Sequence, residues 1–117
     1  MSATVRPAPG DRATADMLAR WRGGRAKVWD FSPTLTTLTL RVELLDRPGN
    51  LHIVCGGCEF IRGPFHWEGS AFAVVPADDA GWLVRDAGAE FEVRCRVVGL
   101  QENVEPVYAP VALAPPG

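Results

Sequence analysis

Two stretches of this sequence alternate strictly between apolar and polar residues, and that alternation restricts the fold more than any other feature. In TLTTLTLRVELL, residues 34–45, the apolar positions of the alternation are Leu38, Leu40, Val42 and Leu44. In EFEVRCRVV, residues 90–98, they are Phe91, Val93, Cys95 and Val97. Successive side chains of a β-strand point to opposite faces of its sheet. Each stretch is therefore predicted to be a strand with one buried face and one solvated face.

Shorter segments of the same character surround these two strands. They are AKVWDF (26–31), LHIVC (51–55), CEFIR (58–62), AFAVV (71–75) and WLVRD (82–86), with ENVEPVY (102–108) a candidate for a short edge strand. Trp29 and Phe31 are predicted to be core residues. Turn-forming residues separate the segments and no helices alternate with them, which favours antiparallel pairing. The sequence predicts an all-β, mainly antiparallel domain of about six to eight strands, arranged as a small sandwich or a partly open barrel.

One short helix is predicted before the strands, over residues 11–22. Met17, Leu18 and Trp21 share one helical face, and a Gly-Gly pair at 23–24 provides the stop. With 117 residues the chain has room for one ordinary domain. That domain is expected to span residues 11–108, after a disordered lead at 1–10 and before a loose tail at 109–117.

The composition argues against some classes of partner. Apolar residues make up 47% and charged residues 22% of the chain, a balance that supports an ordinary core. The net charge is −2 with acids and bases interspersed, whereas nucleic-acid binding needs a basic face. No apolar run approaches the roughly 20 residues of a membrane span, and no signal peptide is recognisable. A cytoplasmic chain without a nucleic-acid or membrane partner is therefore expected.

The segment HIVCGGCEF, residues 52–60, is the most distinctive motif. A Gly-Gly pair between two short apolar runs predicts a two-residue hairpin turn. In that hairpin Cys55 pairs with Cys58, and both cysteines lie on an apolar face as small buried side chains. A redox dithiol is disfavoured, because the following EFIRGPF offers no helix to activate a thiol.

A zinc site is the alternative interpretation of this motif. The candidate ligands are Cys55 and Cys58, which have C-x₂-C spacing, together with Cys95 and with His52 or His66. Against this interpretation, no second ligand pair follows at the usual spacing, and the hairpin would point His52 away from the cysteines. Zinc is the only cofactor that the sequence suggests.

The segment GPFHWEGS, residues 63–70, is the second candidate site. A Gly-Pro pair breaks the strand, and Phe65, His66 and Trp67 follow in a short loop. Because aromatic side chains in loops are frequent anchors of binding sites, these three residues are predicted to bind a partner or ligand. The alternative is that Trp67 folds back into the core, where a small domain needs aromatic side chains.

Three functions agree with these features. The first is a non-catalytic, cytoplasmic protein-interaction module, of accessory or toxin-neutralising type, with an unidentified protein partner. The second is a zinc-binding domain built on Cys55 and Cys58. The third is a small-ligand carrier or an enzyme with a pocket at the mouth of the barrel. An enzyme is disfavoured because His66 with Ser70 or Glu68 makes no recognisable catalytic set.

An exposed edge strand at 71–75 or 104–108 would allow a homodimer.

Overall fold

The structure is a computed structural model, and it describes residues 6–7, 12–34, 36–78 and 80–103. The described elements, in chain order, are β1 (Arg6–Pro7), α1 (Arg12–Arg20), β2 (Arg25–Ser32), β3 (Thr37–Glu43), β4 (Asn50–Gly56), β5 (Phe60–Arg62), β6 (His66–Trp67), β7 (Ala73–Pro76), β8 (Trp82–Asp86), β9 (Phe91–Cys95) and β10 (Val97–Asn103). A short 3-10 turn at Ala87–Ala89 joins β8 to β9.

The strands form two antiparallel sheets. The larger sheet has the order β1-β10-β4-β3-β2-β6, and the smaller sheet has the order β5-β9-β8-β7. One hydrophobic core draws on the inner faces of both sheets, as in a sandwich. The predicted class, a mainly antiparallel β domain with one short helix, is therefore confirmed.

The strictest alternation in the sequence forms the centre of the larger sheet. Leu38, Leu40 and Val42 of β3 are buried on the inner face. They lie directly opposite Cys55, Ile53 and Leu51 of β4. The intervening residues of both strands form the outer face of this sheet.

The second alternation is interrupted, and the prediction that Val97 faces the core is wrong. Cys95 ends β9 in the smaller sheet, whereas Val97 begins β10 in the larger sheet. Arg96 lies between the two strands, and the chain changes sheets there. Val98 consequently takes the buried position, and the side chain of Val97 is 62% exposed.

The predicted CGGC hairpin is also wrong, although both of its strands exist. Strand β4 pairs with β3 and β10, and β5 pairs with β9 in the other sheet. Gly56 continues β4, and Gly57 then has a φ of +64° while the chain crosses between sheets. A Cβ at Gly57 would lie 2.9 Å from the side chain of Arg96. The glycines thus provide positive φ and close approach, which a crossover needs as much as a hairpin does.

Helix α1 falls within the predicted range and covers one edge of the sandwich. It lies against β7, and Leu18 and the following Trp21 are buried. The indole Nε1 of Trp21 donates to Glu102 Oε2 at 2.6 Å, and Arg47 stacks on the indole ring at 4.6 Å. Residue 11, the first of the predicted helix, lies outside the described residues.

Several predictions fall on parts of the chain that the structure does not describe. In the predicted lead at 1–10, Arg6 and Pro7 pair with Leu100 and Gly99, and the other residues lie outside the described part. The candidate strand at 104–108 and the predicted tail at 109–117 also lie outside it. The α-helix in the described residues is too short to cross a membrane.

Candidate functional site

The three cysteines come together in the core. Cys55 of β4 and Cys95 of β9 are both buried, and their thiols interact across the space between the sheets. The Cys95 thiol also donates to the carbonyl oxygen of Trp82 at 3.9 Å. The thiol of Cys58 donates to the carbonyl oxygen of Cys55 at 3.3 Å. The hydrogen bond with Cys95, together with burial, raises the pKa of Cys55 well above its usual value. Burial raises the pKa of Cys58 to about 11. These two thiols are therefore protonated at neutral pH, a state in which they are poor nucleophiles.

The predicted histidine ligands do not lie with the cysteines. His52 is on the outer face of β4, because Ile53 and Cys55 occupy the inner face. His66 is exposed on the edge strand β6, opposite Lys27. Within the described residues, no group of three or more His, Cys, Asp or Glu side chains is arranged to hold a metal ion.

Of the three residues predicted in the GPFHWEGS segment, Trp67 packs against the core. Its ring lies 4.7 Å from that of Phe91 and 5.6 Å from that of Phe72, measured between centroids. Its Nε1 donates to Asp86 Oδ2 at 2.7 Å, and the same oxygen accepts from the backbone N–H of Ala71 at 2.9 Å. Trp67 is thus held in place by packing and by a hydrogen bond, as the alternative interpretation of this segment describes.

Phe65 and His66 are exposed, and Phe65 lies at one edge of the sandwich. The carbonyl of Phe65 accepts from Val28 N–H at 2.8 Å, and the N–H of Cys58 donates to the carbonyl of Thr36 at 2.9 Å. These two bonds hold the chain between residues 58 and 65 alongside strands β2 and β3. The exposed side chains of β2 and of this segment therefore share one edge of the molecule.

Five large apolar side chains are exposed along this edge. They are Trp29 (46% exposed), Phe31 (48%), Phe60 (48%), Ile61 (44%) and Phe65 (78%), and we call them the aromatic edge. The prediction that Trp29 and Phe31 are core residues is wrong. A register shift between Val28 and Asp30 marks a β-bulge at Trp29, which changes the alternation of β2 at that point. Phe31 stands at the end of β2, where it is only half covered.

Beside the aromatic edge, a row of basic side chains crosses the outer face of the larger sheet. Strand pairing places His66, Lys27, Arg41 and His52 next to one another on β6, β2, β3 and β4. The guanidinium carbon of Arg41 lies 4.1 Å from the centroid of the Trp29 ring, and the ring of His52 lies 6.3 Å from it. Composition did not predict this local row, because acidic residues elsewhere balance the net charge.

Three side chains on this outer face have polar atoms without a hydrogen-bond partner. They are Arg41 at Nε, His52 at Nε2 and Asn50 at both amide atoms, among the residues described here, and we call the three the polar patch. Asn50 is 1% exposed and Arg41 is 7% exposed. The Nη2 of Arg41 pairs with Glu43 Oε2 at 2.8 Å. Burial, followed by the charge of Arg41, lowers the pKa of His52, so its imidazole is neutral at pH 7.

Two grooves in the described part of the chain bear on the ligand-carrier hypothesis. One, of about 190 Å³, lies between α1 and β7 and is lined by Leu18, Arg22 and Phe72 among others. The other, of about 240 Å³, is lined by Arg25, Glu43 and neighbouring residues. Both are smaller than the roughly 300–1,000 Å³ of most ligand pockets.

Comparison with known proteins adds no assignment, since no protein-family model, curated protein or solved structure matches the chain.

Proposed function

We propose that this chain is a non-catalytic protein-interaction module that binds a short extended segment of a partner protein along its aromatic edge. The observation that carries this proposal is the position of the exposed apolar side chains. Five of the seven large hydrophobic residues exposed in the described part of the chain belong to this edge. Large apolar side chains that are exposed along one edge are typical of an interaction site in soluble proteins.

The size of the edge favours a short segment over a second copy of the chain. An aromatic side chain buries about 150–250 Å² when it is fully covered. With roughly half of that area still exposed, the four aromatic side chains together with Ile61 offer on the order of 500 Å². A standard interface buries about 800 Å² on each partner, and stable homodimers bury more. The aromatic edge therefore suits a transient complex with an extended peptide segment.

The other two hypotheses have less support. Ser70, which sequence reasoning considered beside His66, is 1% exposed and is not accessible to a substrate. Both described grooves are smaller than a usual ligand pocket, which weakens the carrier hypothesis. The zinc hypothesis has less support because, in the described part of the chain, neither His52 nor His66 lies with the three cysteines to complete a set of four ligands.

Selection from a library of displayed peptides tests the proposal. The folded protein is the bait, and a Phe60→Ala/Phe65→Ala variant serves for counter-selection. We expect the recovered peptides to share apolar side chains at alternate positions and to lose binding to this variant. Leu45→Ala is the matched control, because Leu45 is 91% exposed and lies outside the aromatic edge.

Two outcomes would overturn the proposal. One is that no peptide is enriched above background, or that the enriched peptides bind the edge variant as well as the wild type. The other is a concentration-dependent homodimer in sedimentation that is lost in the edge variant, since the edge would then bind a second copy.

A further inference from the structure

We infer that the polar patch beneath Trp29 is a subsite that receives a carboxylate of the bound partner segment. This inference rests on the proposed function, because the same partner would contact the aromatic edge and the patch. The patch is formed by Arg41, Asn50 and His52 on two adjacent strands. Trp29, which belongs to the aromatic edge, covers the guanidinium of Arg41 at 4.1 Å.

The patch has hydrogen-bonding capacity that the fold leaves unmet. Arg41 and His52 are direct cross-strand partners, and Asn50 lies two residues from His52 on the same face of β4. Their four unpaired atoms are all buried, and no described residue accepts from or donates to them. Native proteins pair nearly all such groups, so a cluster of unpaired ones indicates a group that binds there.

The polar atoms and charges of the patch indicate the charge of the group that binds there. Arg41 Nε–H can only donate, and the Asn50 amide can donate through Nδ2, while its Oδ1 is an unpaired acceptor. Lys27 lies directly opposite Arg41 and adds a second positive charge. Glu43 contributes the nearest negative charge, but it is already paired with Arg41 through Nη2. The patch therefore offers donors and positive charge to an acceptor, and a carboxylate is the negatively charged acceptor of proteins, which forms shorter and stronger hydrogen bonds than a neutral carbonyl does.

Trp29 lies between the patch and solvent. The Trp29 ring lies over Arg41, but the residue is 46% exposed at a bulge of β2. A carboxylate reaches Arg41 Nε when the indole moves aside. Binding should therefore change the environment of both Trp29 and His52, whose rings lie 6.3 Å apart beside Arg41.

The first test measures the free protein, without a peptide. Asn50→Leu replaces a buried amide that has no partner with an apolar side chain of similar size. If the amide atoms of Asn50 have no hydrogen-bond partner in the free protein, this variant melts about 4 °C or more above the wild type. Thr39→Val on the same face is the matched control and should leave Tm nearly unchanged. A lower Tm for Asn50→Leu would overturn the inference, because Asn50 would then be engaged within the fold.

The second test measures binding of a peptide recovered by the selection, synthesised in three forms. One form has a Glu side chain and an amidated end, one has Gln and an amidated end, and one has Gln and a free C-terminal carboxylate. We expect the form without a carboxylate to bind about tenfold or more weakly than the best form. If only the form with Gln and a free C-terminal carboxylate binds with full affinity, the group that binds is a C-terminal carboxylate.

The remaining outcomes separate this inference from the proposed function. If Asn50→Leu binds the best peptide as tightly as the wild type, the subsite is wrong and the aromatic edge still stands. If no form of the peptide binds the wild type, the proposed function fails. Heteronuclear NMR provides a readout that does not depend on folding of a variant. The peptide should shift the indole N–H of Trp29 and the imidazole nitrogens of His52, and an unmoved His52 would overturn the subsite.

Discussion

Phe65 immediately precedes β6 and Trp67 ends it, yet the environments of the two side chains differ. Trp67 packs against Phe72 and Phe91 and donates to Asp86, whereas Phe65 is 78% exposed. The two environments differ because of where the smaller sheet ends, since only Trp67 lies over the aromatic side chains of Phe72 and Phe91. Local sequence does not encode that boundary, so both residues appear alike as loop aromatics.

Substitution by alanine should separate the two residues. Trp67→Ala is expected to lower the free energy of unfolding by about 3 kcal/mol, because it removes packed aromatic contacts and leaves Asp86 without one donor. Phe65→Ala is expected to change it by about 0.5 kcal/mol or less. Urea unfolding of both variants measures the contrast, and equal losses would show that Phe65 is also packed.

The lowered pKa of His52 predicts that the free energy of unfolding depends on pH. Burial and the charge of Arg41 lower its pKa below 6.5, against a smaller opposing effect of Glu43. Below pH 6.5 the unfolded chain therefore holds more protons at His52 than the folded protein does. The free energy of unfolding should fall as the pH drops below about 6.5, until the pH passes the lowered pKa.

His52→Gln isolates that contribution. Unfolding is measured at about pH 7.5 and about pH 5.5 for the wild type and the variant. The wild type should lose more stability between these two values than the variant does. Identical losses would mean that His52 titrates as freely in the fold as in the unfolded chain.

At the scale of elements, sequence reasoning found the strands but not all of their partners. The alternation of β3 predicted Leu38, Leu40 and Val42 correctly as core residues. Strand pairing depends on contacts between residues far apart in the chain, and the Gly-Gly signal fits a crossover as well as a hairpin. The bulge at Trp29 was missed for a related reason, because an inserted residue leaves no mark on the composition of a strand.

The crossover predicts an order of thiol reactivity. Cys55 and Cys95 lie between the sheets, so alkylating reagents should reach them only when the sheets separate. Cys58 is partly exposed and should react earlier, although slowly, because its pKa is about 11. Mass spectrometry of labelled peptides in increasing urea measures the order, with Cys58→Ser as the control. Rapid labelling of Cys55 and Cys95 in native buffer would contradict this arrangement.

At the scale of the whole molecule, the two sheets leave their edge strands in different surroundings. β7 is an edge strand of the smaller sheet, and α1 lies against it. At the other side β5 and β6 are edge strands of the two sheets, joined by three residues and carrying exposed aromatic side chains. The candidate dimer strand at 71–75 overlaps β7, and a homodimer through it stays a prediction.

The class of fold and the helix could be predicted from periodicity, because both follow from local patterns. The aromatic edge could be predicted only in part. Phe65 stood out because of its loop, whereas Trp29, Phe31, Phe60 and Ile61 resembled ordinary strand residues. Their exposure arises from a bulge and from edge positions in the assembled sheets, and those depend on the whole fold.

The most direct test of the account is the affinity of one selected peptide for three forms of the protein. Isothermal titration calorimetry measures Kd for the wild type, for Phe60→Ala/Phe65→Ala and for Leu45→Ala. The account predicts that the edge variant binds about tenfold or more weakly and that Leu45→Ala binds as the wild type does. Equal affinity of all three forms would contradict it, because the exposed aromatic side chains would then play no part in binding.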